Sequence, residues 1–110
     1  MAFINYNNPL ANFNNFLLSS NDVTDVINGF GGIDTVSYVN ATSAVNVYLS
    51  ITGFQNTRGS GFDRLISIEN LTGSNFNDTL SGDAGNNVLN GGTGVDTVHY
   101  GFATSGVNVS

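Results

Sequence analysis

The sequence has no cysteine, no lysine and no tryptophan, a single proline (Pro9), a single histidine (His99) and few charges of either sign. Each shortage removes a class of function. Without cysteine there is neither a disulfide framework nor a thiolate metal site. One histidine cannot build a multi-histidine zinc or copper centre. The only basic residues besides it are Arg58 and Arg64, against seven aspartates and Glu69, for a net charge of −6. Such a chain lacks the cations that displace counterions from nucleic acid and those that hold a protein to an anionic membrane. No apolar run is long enough to cross a bilayer. The opening MAFINYNNPL has neither the basic region nor the apolar stretch of a cleavable leader.

What is present is glycine, asparagine and oxygen. The 110 residues suit one domain. Charged residues make up 9%, against roughly 25% in an average soluble domain. A chain so poor in charge stays soluble by committing its backbone and side-chain amides to regular hydrogen bonding. Its metal-binding capacity lies in carboxylates, amides, hydroxyls and carbonyls, which are ligands for hard cations, Ca²⁺ first among them.

The chain repeats. Residues 73–99 divide into three nonapeptides, GSNFNDTLS, GDAGNNVLN and GGTGVDTVH. Glycine opens each one, position six is Asp78, Asn87 and Asp96, and position eight is Leu80, Leu89 and Val98. The third fits G-G-x-G-x-D-x-U-x best, where U is a large aliphatic residue. A longer similarity lies above this one. GGIDTVSY from Gly31 returns as TGVDTVHY from Thr93, and NATSAVNV from Asn40 returns as FATSGVNV from Phe102, both at an offset of 62 residues. Two degenerate units, RGSGFDRLI (58–66) and RLISIENLT (64–72), overlap by three residues and predict that the regular structure is interrupted or reshaped near residues 53–66.

One aliphatic position in nine cannot make an amphipathic helix. An opening glycine permits the positive φ of a turn. The last three residues of a unit, such as Thr79-Leu80-Ser81, predict a short strand whose middle side chain points inward. Two nonapeptides then make one coil. The predicted fold is all-β: a parallel β-roll, or β-solenoid, with two strands and two turns per coil and an aliphatic ladder inside. Turns on one side recur every 18 residues, so Asp78 and Asp96 fall on adjacent rungs, roughly 4.7–4.9 Å apart. One Ca²⁺ with ligands at about 2.3–2.6 Å spans that gap. Without an ion, two charges about 4.8 Å apart at an effective dielectric near 20 repel by roughly 3.5 kcal/mol, a large share of the ~5–15 kcal/mol stability of a domain. The spacing therefore predicts that folding is coupled to the cation.

These units, with GFGGIDTVS (29–37) and the stretch from Asp63 to Val98, resemble the repeats-in-toxin (RTX) family of haemolysin-type calcium-binding repeats. The resemblance implies a parallel β-roll that binds Ca²⁺ between successive turns and is disordered without it. It also implies a bacterial-type secreted protein exported by the type I route, without a cleavable N-terminal signal peptide. Carried over by position, the implied ligands are Asp78 and Asp96 with carbonyls of Gly91, Gly92 and Gly94. A weaker site pairs Asn87 with Glu69, and Asp34 and Asp63 are further candidates. The sequence departs from the pattern at Ser74, Asp83 and Phe76, which stand where glycine is expected.

The predicted organisation is one module over 1–110. Residues 1–18 form an N-terminal cap or degenerate repeat, 19–57 a worn repeat copy, 58–99 the calcium-binding core, and 100–110 the start of an incomplete unit. No catalytic constellation is visible, so the expected activity is binding, not catalysis. The alternative is a non-catalytic β-helical module or fragment of a polysaccharide-modifying enzyme or adhesin. Expected partners are calcium ions and, through open solenoid edges, other copies of the chain, with no nucleic acid and no membrane insertion. Asn28 and Asn90 read as turn caps or stacked amides, and Tyr38 and Tyr100 as caps on the core.

Overall fold

The computed structural model describes residues 2–4, 15–18, 24–100 and 107–109. Twelve short strands and no helix lie among them: β1 (Ala2–Ile4), β2 (Phe16–Leu18), β3 (Thr24–Asn28), β4 (Thr35–Ser37), β5 (Asn46–Tyr48), β6 (Gln55–Asn56), β7 (Phe62–Ile66), β8 (Asn70–Thr72), β9 (Thr79–Ser81), β10 (Asn87–Asn90), β11 (Thr97–His99) and β12 (Val107–Val109). Among the described residues, no helix long and apolar enough to cross a membrane is found. The predicted cap over 1–18 and the incomplete unit over 100–110 fall largely outside the described residues.

The strands stack in parallel. One face of the roll is the sheet β2–β4–β8–β10–β12. The other is carried by β1–β3–β7 and by β5–β9–β11. The sheets are open at their ends and form no closed barrel. From β8 to β11 the chain alternates faces every nine residues, so Leu71 pairs with Leu89, and Leu80 with Val98, at the predicted offset of 18. The regularity is physical. The strands β2, β4, β5, β8, β9 and β11 each turn one aliphatic side chain inward, and parallel stacking places it on its counterpart one rung away. Leu17, Val36, Leu71 and Leu89 make one ladder. Ile4, Ile27 and Leu65 make a second, and Val47, Leu80 and Val98 a third. Most of these residues are fully buried and belong to one core cluster.

Between β5 and β7 the roll is interrupted, where the phase slip predicts it. The chain doubles back, and β6 pairs antiparallel with β7. The reversal is held by Thr57, whose N–H and hydroxyl both donate to Gly61 O. Arg58 and Gly61 take left-handed φ values of 72° and 77°. On the other side, Asn46 N–H donates to Thr57 O, and Val45 bridges Arg58. The Gln55 amide accepts from Tyr48 N–H and donates to Tyr48 O, both at 2.8 Å, as a neighbouring peptide would. This excursion stretches the rung offset to 38 residues for β3–β7, 35 for β4–β8 and 33 for β5–β9.

The 62-residue similarity is consequently not a rung. Its equivalent strands β4 and β11 lie in different sheets, as do β3 and β10. Asn28 and Asn90 also match across this offset, and both cap turns. Tyr38 is buried and its hydroxyl donates to Asp63 Oδ2 at 2.9 Å, whereas its counterpart Tyr100 is exposed.

Candidate metal centre

The turns stack into two columns. The column leading into the first face contains Asn15, Asp34, Glu69 and Asn87. The column leading into the second contains Val45, Asp78 and Asp96. Within each column, a side-chain oxygen on one rung accepts the backbone N–H of the rung before it. Asp34 Oδ1 accepts from Asn15 N–H at 2.8 Å, and Glu69 Oε1 from Asp34 N–H at 2.8 Å. Asp78 Oδ1 accepts from Val45 N–H at 3.0 Å, and Asp96 Oδ1 from Asp78 N–H at 2.8 Å. Asparagines make the opposite bond, to the rung after: Asn70 Oδ1 takes Val88 N–H, and Asn77 Oδ1 takes Val95 N–H.

Asp78 and Asp96 thus occupy adjacent rungs, 18 residues apart. They do so head to tail: Asp96 reaches back to the Asp78 amide, and Asp78 reaches back to Val45. The opening glycines explain how the carboxylates fit. A Cβ on Gly91 would lie 2.5 Å from Asp96 Oδ2, and one on Gly73 would lie 2.5 Å from Asp78 Oδ2. The position-six side chain therefore tucks into the space that glycine leaves open.

That space is lined by oxygen. A Cβ on Gly73 would also meet Gly91 O at 2.7 Å. One on Gly94 would meet Phe76 O at 2.6 Å, and one on Gly92 would meet Ser74 O at 3.1 Å. Carbonyls of the turn 73–78 thus lie close against Gly92 and Gly94 of the turn 91–96, with Asn77 Oδ1 beside Gly94. Among the described residues, no group of three or more His, Cys, Asp or Glu side chains converges. The oxygens that a cation here would meet are those of carbonyls and of the Asp78 and Asp96 carboxylates. This all-oxygen set suits Ca²⁺, which accepts six to eight such ligands in flexible geometry. Bound there, the ion would offset the charge of the stacked carboxylates.

In the other column, Asp34 and Glu69 are rung neighbours, a pairing that spans 35 residues and depends on the excursion. The nine-residue pattern alone could not reveal it. Asn87, expected opposite Glu69, is there: its Nδ2 donates to Glu69 O at 2.8 Å. Burial raises the Asp34 carboxyl above the usual range, partly countered by the Asn15 N–H. Glu69 is raised mainly by burial. The Asp34 N–H opposes this, and the charges of Asp34 and Asp83 add to it. Glu69 and Asp83 line a cavity of about 290 Å³ with Arg64, Leu49, Ile51 and Ile68. Arg64 Nε donates to Thr52 O at 3.2 Å.

Asp63 is placed differently. It lies within β7, fully buried, beside Asp25 of β3 on the neighbouring rung. The structure brings it to neither turn column.

The family model for the RTX calcium-binding nonapeptide repeat, in four copies, matches residues 68–102. No curated protein matches the chain. The matched stretch runs from the turn carrying Glu69 through β11 and includes the Asp78–Asp96 column. Residues 68–102, about a third of the chain, thus match the RTX calcium-binding nonapeptide repeat, and the strands β8 to β11 within that stretch lie on a parallel β-roll.

Proposed function

We propose that this chain is the calcium-dependent folding segment of an exported protein: unfolded where calcium is scarce, folded as a β-roll where it is abundant. The observation that supports this most is the coincidence of three features in one place: a calcium-binding repeat match, Asp78 and Asp96 on adjacent rungs, and carbonyls facing across the gap between their turns. Stacked carboxylates raise the free energy of the metal-free roll, and a divalent cation removes that penalty. Metal affinity then becomes folding free energy. Export by the type I route follows from the family resemblance. A binding role rather than a catalytic one follows from a sequence without lysine, cysteine or a histidine–carboxylate repeat.

One observation favours a second reading, in which the roll stands without metal. The Asp78 carboxylate already accepts three hydrogen bonds, from Val45 N–H, Ser74 N–H and Ser74 Oγ. Calorimetric titration of EDTA-treated protein with Ca²⁺, with Mg²⁺ as control, separates the two. Calcium-selective binding with a folding enthalpy supports the switch. Absence of binding to a protein that is already β-rich supports the self-standing scaffold.

A further inference from the structure

The turns are of two kinds, and the residue before the opening glycine separates them. In the turn 91–96, Gly92 and Gly94 take left-handed φ values of 75° and 93°. Gly92 N–H donates to Asn90 Oδ1 at 3.0 Å, so position two is satisfied from outside the turn. Asp96 receives one hydrogen bond, from Asp78 N–H on the rung before, and none from its own turn.

In the turn 73–78 neither Ser74 nor Phe76 has positive φ. Ser74 N–H and Ser74 Oγ both donate to the Asp78 carboxylate, and Ser74 Oγ accepts Phe76 N–H. The turn 82–87 follows the same plan: Asp83 N–H donates to Asn87 Oδ1, and Asp83 Oδ1 accepts from Gly85 N–H. These two turns consume their own position-six side chain. Thr72 and Ser81 precede them, where Asn90 precedes the other kind. Outside the matched tract the correlation holds again. Asn28 Oδ1 accepts Phe30 N–H at 2.9 Å, and that turn has positive φ at Phe30 (61°) and Gly32 (88°).

We propose that Asn90 is a positioning residue for calcium. By taking the Gly92 N–H, its amide holds the turn 91–96 in the left-handed form and keeps that N–H from donating to the Asp96 carboxylate. The carboxylate then remains directed at the Asp78 rung, whose Ser74 and Phe76 carbonyls face the turn 91–96. Asn90 touches no ion; it decides which acceptor the turn leaves for one. This rests on the calcium reading above.

The test is calcium titration of the full chain and of Asn90→Ala and Asn90→Asp, by calorimetry, with far-UV circular dichroism at saturating Ca²⁺ alongside. Loss of one side-chain-to-backbone hydrogen bond corresponds to about a five- to tenfold change in affinity. Asn90→Ala is expected to weaken calcium binding by that factor while reaching the same β spectrum at saturating Ca²⁺. Asn90→Asp, which still accepts the Gly92 N–H, is expected to restore it. Wild-type affinity in Asn90→Ala would overturn the proposal. So would failure of Asn90→Ala to reach that β spectrum at saturating Ca²⁺, which marks a merely structural residue. If the unmodified chain itself binds no calcium, the calcium reading fails, and the role of Asn90 fails with it.

Discussion

Position six of the nonapeptide serves the backbone before it serves any ion. The Asp78 carboxylate satisfies two buried backbone N–H groups, those of Val45 and Ser74. Asp78→Ala would orphan both, at about 1–3 kcal/mol each. It is expected to lower the stability of the folded roll by at least about 2–4 kcal/mol, measured as a denaturant midpoint at saturating Ca²⁺. Asp78→Asn, which still accepts, is expected to lose less. The glycines make a matched pair. Gly91→Ala forces a Cβ against Asp96, whereas Gly53 has nothing within 4 Å. Gly91→Ala is expected to cost about 1–3 kcal/mol as an overpacking change, and Gly53→Ala to be neutral or stabilising by less than about 1 kcal/mol. Protonation acts at this scale too. The carboxyls of Asp34 and Glu69 are raised above 3.8 and 4.5 by burial, so the folded state holds these protons more tightly than the unfolded chain. In the window just above those values, their contribution to metal-free stability falls as pH rises. Calcium competes with the same protons, so its affinity is expected to rise with pH across that window. Calcium affinity by calorimetry, stepped upward in pH from the low end of that window, should show the rise, and Glu69→Gln should flatten it.

At the scale of elements, the strands are held by one inward aliphatic residue each, and the cost of truncating them should follow burial. Leu71→Ala and Leu80→Ala, both fully buried, are expected to cost about 2–5 kcal/mol. Val88→Ala, on the exposed side of β10, is expected to change stability by less than about 0.5 kcal/mol. Differential scanning of the three variants gives the comparison. The regular half of the roll was legible because its period is strict: Thr79–Ser81 and Thr97–His99 are strands with Leu80 and Val98 inward. The excursion was legible only as a break in phase. Nothing in the nonapeptide pattern says that residues 55–61 run antiparallel, since that depends on Gln55 standing in for a peptide and on the Thr57–Gly61 turn. The neighbours set by the excursion were hidden with it, Asp34 with Glu69 above all. RGSGFDRLI matches the turn pattern in letters, yet Phe62, Asp63, Arg64 and Leu65 alternate exposed and buried as a strand does. Asp63 accordingly sits inside the roll, where Tyr38 donates to it.

At the scale of the whole molecule, two kinds of rung share one roll. The stretch from β8 to β11 is built from 18-residue coils and carries the calcium-binding repeats. The earlier half is uneven: its rungs lie 19 residues apart at β2–β4, 23 at β1–β3, and 35 to 38 where the excursion intervenes. Acidic side chains are stacked in both turn columns of a protein with only two arginines and no lysine to offset them, so a divalent cation is the simplest source of compensating charge. The central claim is that this charge is supplied by calcium as the chain folds. It is tested most directly by far-UV circular dichroism of EDTA-treated protein during Ca²⁺ titration, with Mg²⁺ and the Asp78→Ala/Asp96→Ala double variant as controls. A coil-to-β transition driven by Ca²⁺, absent with Mg²⁺ and lost in the double variant, is the expected result; a β spectrum that EDTA leaves unchanged would contradict it.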